Sequence, residues 1–292
     1  MSTITIDHKA CTRCGACVRA CAIARVYEFG EATVDVAQPE ACWRCGHCVS
    51  VCPTDAIDHD AFPFEKSPLL VPSRQPSIEQ VVQLVRARRS SRAYAERPVS
   101  REVVRELTSA SRYAPTAENV QDVDWIAIDD PARLRELSKA TIDRIGRFAA
   151  WARRPVIRSL LALVVGREAV RSATENPELA REMVARWTRG DDPIFYNAPV
   201  LLIATTRSGG AFRRDNAVFA AYNVMLAAEA LGLTTCEIGL FQVVLARSRK
   251  LRLDLAIPDG RSPELAMILG YPFQPYRRLV PRRMPDVVWN PR

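Results

Sequence analysis

Histidine is scarce in this chain: of 292 residues only His8, His47 and His59 are histidines, and none lies beyond position 59. A Ser–His–Asp or Cys–His hydrolase in the rest of the chain is thereby excluded. No G-x-G-x-x-G run occurs, so a dinucleotide-binding Rossmann fingerprint is missing. Long apolar runs are missing as well. In the basic segment 141–190 the longest, residues 160–165, has six residues where a membrane span needs about twenty. It reads as the buried face of a helix. With no secretory or lipidation motif in view, the cytoplasm is the expected location, and neither membrane nor nucleic acid is expected as a partner.

Cysteine, in contrast, is plentiful. Eight of nine cysteines form two copies of C-x2-C-x2-C-x3-C, at Cys11, Cys14, Cys17 and Cys21 and at Cys42, Cys45, Cys48 and Cys52. Pro53 follows the last cysteine, whereas Ala22 stands at the matching place after Cys21. The run resembles a two-cluster bacterial ferredoxin, in which three closely spaced thiolates wrap one cluster and the fourth cysteine serves the other. The resemblance implies crossed wiring: Cys11, Cys14, Cys17 and Cys52 for one [4Fe-4S] cluster, and Cys42, Cys45, Cys48 and Cys21 for the second. Structural zinc is the competing reading, but zinc knuckles pair two C-x2-C turns and need no third cysteine three residues on. Gly15 and Gly46 sit where the backbone must turn around an inorganic core, and His47 is expected beside the site rather than as a ligand.

Charge is divided unevenly. Residues 1–76 carry 7 Lys+Arg against 9 Asp+Glu, so residues 77–292 carry 41−7 = 34 against 33−9 = 24, a net of +10. Nucleic acid would suit a basic half, yet no interleaved aromatic stripe accompanies it. Two clusters and a bound phosphate, at about −2 each, would absorb most of the formal +8.

Short alternating runs at 3–6, 33–36 and 56–58 predict small strands around the cysteine loops. Residues 61–77 hold four prolines and no period, which predicts an extended linker. The expected division is a ferredoxin-like domain over 1–60, a linker over 61–76 and a second domain over 77–292.

That second domain opens on SIEQVVQLVRAR, with Ile78, Val81, Val82 and Val85 at helical spacing behind a serine cap. It continues into ARRSSRAY, a dense set of anion donors suited to a phosphate. The stretch resembles the opening R-R-S-x-R of the FMN-dependent nitroreductase family. Further segments follow in that family's order: APTAENVQ at 114–121 before WIAI, NAPVLLIA at 197–204, NVMLAAEALGLTTCEIGLF at 223–241, and LGYP at 269–272 ahead of Tyr276, Arg277 and Arg278.

The resemblance implies an α+β fold, a mixed or antiparallel sheet flanked by helices, and a homodimer with FMN at its interface. It also implies site roles. Arg88, Arg89, Ser90, Arg92 and Arg278 would grip the FMN phosphate and pyrimidine edge. Thr116, Asn119 and Gln121 would meet the ring rim, although Asp122 replaces the proline expected after Gln121. The backbone at Ile238, Gly239 and Leu240 would approach the flavin N5. Segment 141–190, the weakest match, is expected to be a helical lid, with Trp151, Phe195 and Tyr196 as candidate pocket aromatics, core packing being the favoured role for any one of the three. Cys236 lies in the apolar turn before the flavin contact, where a packed, inert thiol is the favoured reading over a redox role. Catalysis is expected to be flavin-mediated, with no acid–base dyad identified.

Clusters and FMN together suggest a wire. The function expected is reduction of a small organic substrate, a nitroaromatic, quinone or activated alkene, with electrons from a ferredoxin-like or other low-potential donor. Two alternatives stay open: an FMN dehydrogenase exporting electrons through the clusters, and a non-catalytic electron-transfer partner.

Overall fold

The structure is a computed structural model that describes residues 2–63, 67–165, 171 and 177–290. It divides into two compact units, Met1–Pro76 with Ala117–Val120, and Ser77–Thr116 with Gln121–Arg292.

The first unit is built from two small antiparallel pairs. Strand β1 (Ile4–Ile6) pairs with β4 (Ile57–His59), and β2 (Tyr27–Phe29) pairs with β3 (Val34–Val36). The alternation at 3–6, 33–36 and 56–58 thus marks three of these strands; β2 carried no such signal. Each cysteine motif ends in a one-turn helix, α1 (Ala16–Ala20) or α2 (His47–Val51). Gly15 and Gly46 precede these helices in left-handed backbone, at φ 68° and 75°, a region open to glycine at no steric cost. Val26, Tyr27, Val34 and Ile57 form the small core around the cysteines. Among the described linker residues only a short 3-10 turn forms, Pro72–Arg74; the linker's residues 64–66 lie outside the described residues.

A four-stranded antiparallel sheet organises the second unit, in the order β5 (Asp124–Ile128), β6 (Val200–Arg207), β8 (Arg261–Gly270), β7 (Thr234–Glu237). Helices cover both faces, which is why β6 reads as a near-continuous apolar run instead of alternating. Val200, Leu202 and Ala204 face one layer with α4 (Arg101–Ala110) and α8 (Arg213–Ala230), where Ala217, Ala221 and Ala228 let the helix approach closely. Leu201 and Ile203 face the other, with α5 (Pro131–Ala152) and α9 (Gly239–Ala246). Pro263 sits in β8 beside the register shift opposite Ala204 and Thr205, the kind of irregularity at which a strand accommodates a proline. Helix α10 (Arg249–Asp254) follows α9.

Helix α3 (Ile78–Ala87) forms with a capping box between Ser77 and Gln80. Its apolar residues Ile78, Val81, Val82 and Val85 are nonetheless exposed within the chain. Segment 141–190 runs through the end of α5, then α6 (Pro155–Val165) and α7 (Pro177–Thr188). The lid expectation falls partly on residues 166–170 and 172–176, outside the described residues. The reading of 160–165 as a buried face is corrected at the two positions whose side chains are described: Leu160 and Leu163 are 63% and 84% exposed.

Candidate functional site

In the first unit the cysteines separate into two cavities. One is lined by Cys11, Cys14, Cys17 and Cys52, together with apolar Ile6 and Val34. The other is lined by Cys21, Cys42, Cys45 and Cys48, and also by Tyr27 and His59. Each cavity therefore takes three cysteines from one motif and one from the other. Four cysteines border each space, the number of thiolates a [4Fe-4S] cluster takes from the protein. Burial pushes the Cys17 and Cys48 thiols above their ordinary range, while the Ala16 N–H lowers Cys14. Backbone N–H groups already point at sulfur, from Arg44 to Cys42 at 3.3 Å and from Ala56 to Cys52 at 3.2 Å. His47 lines the second cavity at the start of α2.

In the second unit the chain's early arginines and its late ones are drawn together by the segment that follows α3. Ser90 forms a parallel bridge with Thr235 of β7, and Tyr94 bridges to Pro272 just past β8. Ser91 N–H and the Tyr94 hydroxyl lock the turn, donating to Thr235 O and Ser91 O at 3.1 and 2.9 Å. Beside this segment Arg277, Arg278, Thr234 and Glu229 line a cavity of about 280 Å³. Burial raises the Glu229 carboxyl, and Arg88 and Arg89 oppose that shift, so both lie in its electrostatic reach. Cationic donors around one cavity fit a phosphate. Arg92 instead reaches toward Tyr196, with its guanidinium 5.9 Å from the ring.

Ile238, Gly239 and Leu240 form the turn from β7 into α9. Apart from its chain neighbours and its own helix backbone, no atom of the described residues lies within 4 Å of the point where a Gly239 Cβ would stand, leaving open space there as a planar ring requires. Thr116 accepts the Gln121 N–H at 3.1 Å, clipping the ends of a loop in which Glu118, Asn119 and Gln121 all have positive φ. Asn119 itself groups with the first unit, its amide donating to Trp43 O and Arg44 O at 3.0 and 2.8 Å. Its donor is committed there, a partner that the sequence pattern did not suggest. Among the candidate aromatics, Phe195 is fully buried against Phe241, Tyr196 is half-buried and Trp151 is exposed. Phe195 is a core residue. Cys236 is buried, and burial raises its thiol.

Residues 85–271 match the Nitroreductase family, and residues 3–56 match the 4Fe-4S dicluster domain. The chain belongs to the nitroreductase family of oxidoreductases, with a 4Fe-4S dicluster domain at its N-terminal end. It is similar to the nitrobenzene nitroreductase of Ectopseudomonas oleovorans, 30% identical over 210 residues, which span 64% of this chain and 85% of that protein. The chloronitrobenzene nitroreductase of Comamonas testosteroni is 28% identical over 206 residues, 64% and 85% of the two chains. Among solved structures, a nitroreductase with bound FMN from Bacteroides fragilis shares the fold at a TM-score of 0.50 and 20% identity, over 72% of this chain and 98% of that one. No helix among the described residues is long and apolar enough to cross a membrane.

Proposed function

We propose that the protein is an FMN-dependent oxidoreductase that takes single electrons from a ferredoxin-like or other low-potential donor through two [4Fe-4S] clusters and reduces a small organic substrate by two electrons. Nitroaromatics head the substrate classes, ahead of quinones and activated alkenes, because two similar proteins, the nitrobenzene and chloronitrobenzene nitroreductases, are named for nitroarenes. One observation carries the reading: each of two cavities in the first unit is lined by three cysteines of one motif and the fourth of the other, in a chain whose second unit has an arginine-bordered cavity.

FMN, when bound, supplies the exchange between one-electron and two-electron chemistry. The chain's own residues bind and orient it. Arg88, Arg89 and Arg278, with Ser90, hold the phosphate. Arg92 lies toward the ring edge, and its charge favours an electron-rich ring. Thr116 and Gln121 border the rim. Gly239 keeps the ring's reactive face free of a side chain between Ile238 and Leu240. Thiolate ligation suits a reducing cytoplasm. A second copy of the chain is proposed to cover the exposed apolar face of α3.

Anaerobic titration of the reconstituted protein with a low-potential reductant tests the reading, followed by optical and EPR spectra. About eight irons and one FMN per chain, with clusters and then flavin reduced and the flavin drained repeatedly by a nitroarene, is the expected result. Full turnover with NADPH alone by a Cys11→Ser, Cys42→Ser variant would refute the route through the clusters.

A further inference from the structure

The two cysteine cavities differ in the polar groups behind them. Behind the second stand two side chains that belong to neither cysteine motif. Tyr27 on β2 is 4% exposed, and among the described residues its hydroxyl has no partner of hydrogen-bonding geometry. That hydroxyl faces the Cys48 thiol across the cavity both line. A buried hydroxyl left unpaired is unfavourable unless something in the cavity accepts its proton. His59 on β4 is 1% exposed, and its Nε2 lies 3.4 Å from Cys42 Sγ. The ring is held by Phe62, with centroids 5.0 Å apart. Its Nδ1 accepts the Ala61 N–H at 3.1 Å, with Asp60 Oδ1 also 3.1 Å away. A cluster-bound cysteine is a thiolate with no proton to give, so both contacts with it run from Tyr27 and His59 to sulfur.

The first cavity has no equivalent among the described residues. Its side-chain donors are the Thr12 hydroxyl near Cys14 and the Thr54 hydroxyl 3.9 Å from Cys52 Sγ. Both threonines are exposed, where water competes for the same sulfurs.

We propose that Tyr27 and His59 donate buried hydrogen bonds to the sulfurs of Cys48 and Cys42, and that this pair makes the second cluster the higher-potential of the two. Reduction adds one electron and breaks no bond, so its effect at the sulfurs is added negative charge. Donors aimed at those sulfurs stabilise the reduced state and raise the potential, most of all where solvent is excluded. Electrons delivered by the low-potential donor then settle on the cluster held by Cys21, Cys42, Cys45 and Cys48. Tyr27 and His59 are tuning residues and ligate nothing.

The inference rests on the cluster reading and is tested by EPR-monitored redox titration of the reconstituted protein, with iron analysis. Tyr27→Phe removes only the hydroxyl. It is expected to lower the higher of two midpoints by about tenfold in the reduction equilibrium, about 59 mV for a one-electron couple, and to leave the lower midpoint in place. His59→Phe is expected to act on the same midpoint, and Cys45→Ala, which removes a ligand of the second quartet, identifies it. Unmoved midpoints in a Tyr27→Phe protein with full iron, or a shift confined to the other cluster, overturn the assignment. Should His59→Phe lose iron, the isosteric tyrosine variant decides alone. A wild-type protein that takes up no iron overturns the cluster reading itself, and the inference with it.

Discussion

Gly15 and Gly46 occupy matching places in the two cysteine loops, yet alanine should cost very different amounts at the two positions. Both have left-handed φ, at +68° and +75°, so each alanine carries a backbone penalty of about 1–2 kcal/mol. At Gly46 the nearest atom to a new Cβ is Phe62 Cζ at 3.5 Å, an ordinary contact. At Gly15 the new Cβ overlaps Phe29 Cζ and lies 3.0 Å from Phe29 Cε1 and 3.2 Å from Arg19 Nη1, the flexible end of a side chain. Phe29 is 54% exposed and can swing away, giving up its buried half. A phenylalanine buries roughly 150–250 Å² when fully covered, so about 100 Å² is at stake, at most about 2.5 kcal/mol at ~25 cal/mol per Å². The ring keeps part of that area after rotating. Gly15→Ala is therefore expected to cost about 1–2 kcal/mol more than Gly46→Ala, roughly 5–30-fold in the folded population. Anaerobic urea titration followed by cluster absorbance measures the difference. A Phe29→Ala background supplies the control, since there only the flexible Arg19 guanidinium stays close to the new Cβ and the gap between Gly15→Ala and Gly46→Ala should largely close. Equal costs for the two alanines in the wild-type background, or an unchanged gap without Phe29, would refute the steric argument.

Other perturbations follow from the second unit. Asp192, 3% exposed, accepts from Ser138 Oγ, Ile194 N–H and Phe195 N–H at 2.6, 2.9 and 3.0 Å. Asp192→Ala strands three buried donors and is expected to cost about 3–5 kcal/mol in chemical denaturation, against about 1 for Ser138→Ala; equal costs would contradict this. Cys236 carries a thiol raised by burial. The folded state thus holds its proton more tightly than the unfolded chain, a contribution present below the ordinary value near 9 and lost as pH climbs through the folded value. Mass spectrometry of the iodoacetamide-treated native protein should find the Cys236 peptide unmodified at pH 7 and modified only above pH 9 or after unfolding. Ile78→Glu with Val82→Glu places charge on the exposed face of α3, and sedimentation should then show half the mass of the wild type; an unchanged mass locates the dimer contact elsewhere.

Local signals in the chain carried the parts of this protein that depend on spacing and caps. The two C-x2-C-x2-C-x3-C runs specify ligands by proximity along the backbone, and Ser77 with Gln80 starts α3 through hydrogen bonds three residues apart. The resemblance carried by the arginine, asparagine and glycine motifs was enough to name the family. What those signals could not reach depends on pairing between distant strands. Tyr27 and His59 are 32 positions apart (59−27), on strands of two different pairs, and only the packing of those pairs around the cysteines puts both against the same cavity. Likewise Asn119 looked like a flavin-rim residue from its motif, while its amide is engaged by carbonyls 75 and 76 positions away. Apolar periodicity says that a helix has a face to cover, not what covers it. The exposed valines of α3 and leucines of α6 became visible only when the tertiary structure fixed which helix faces meet the sheet and which are left for another surface.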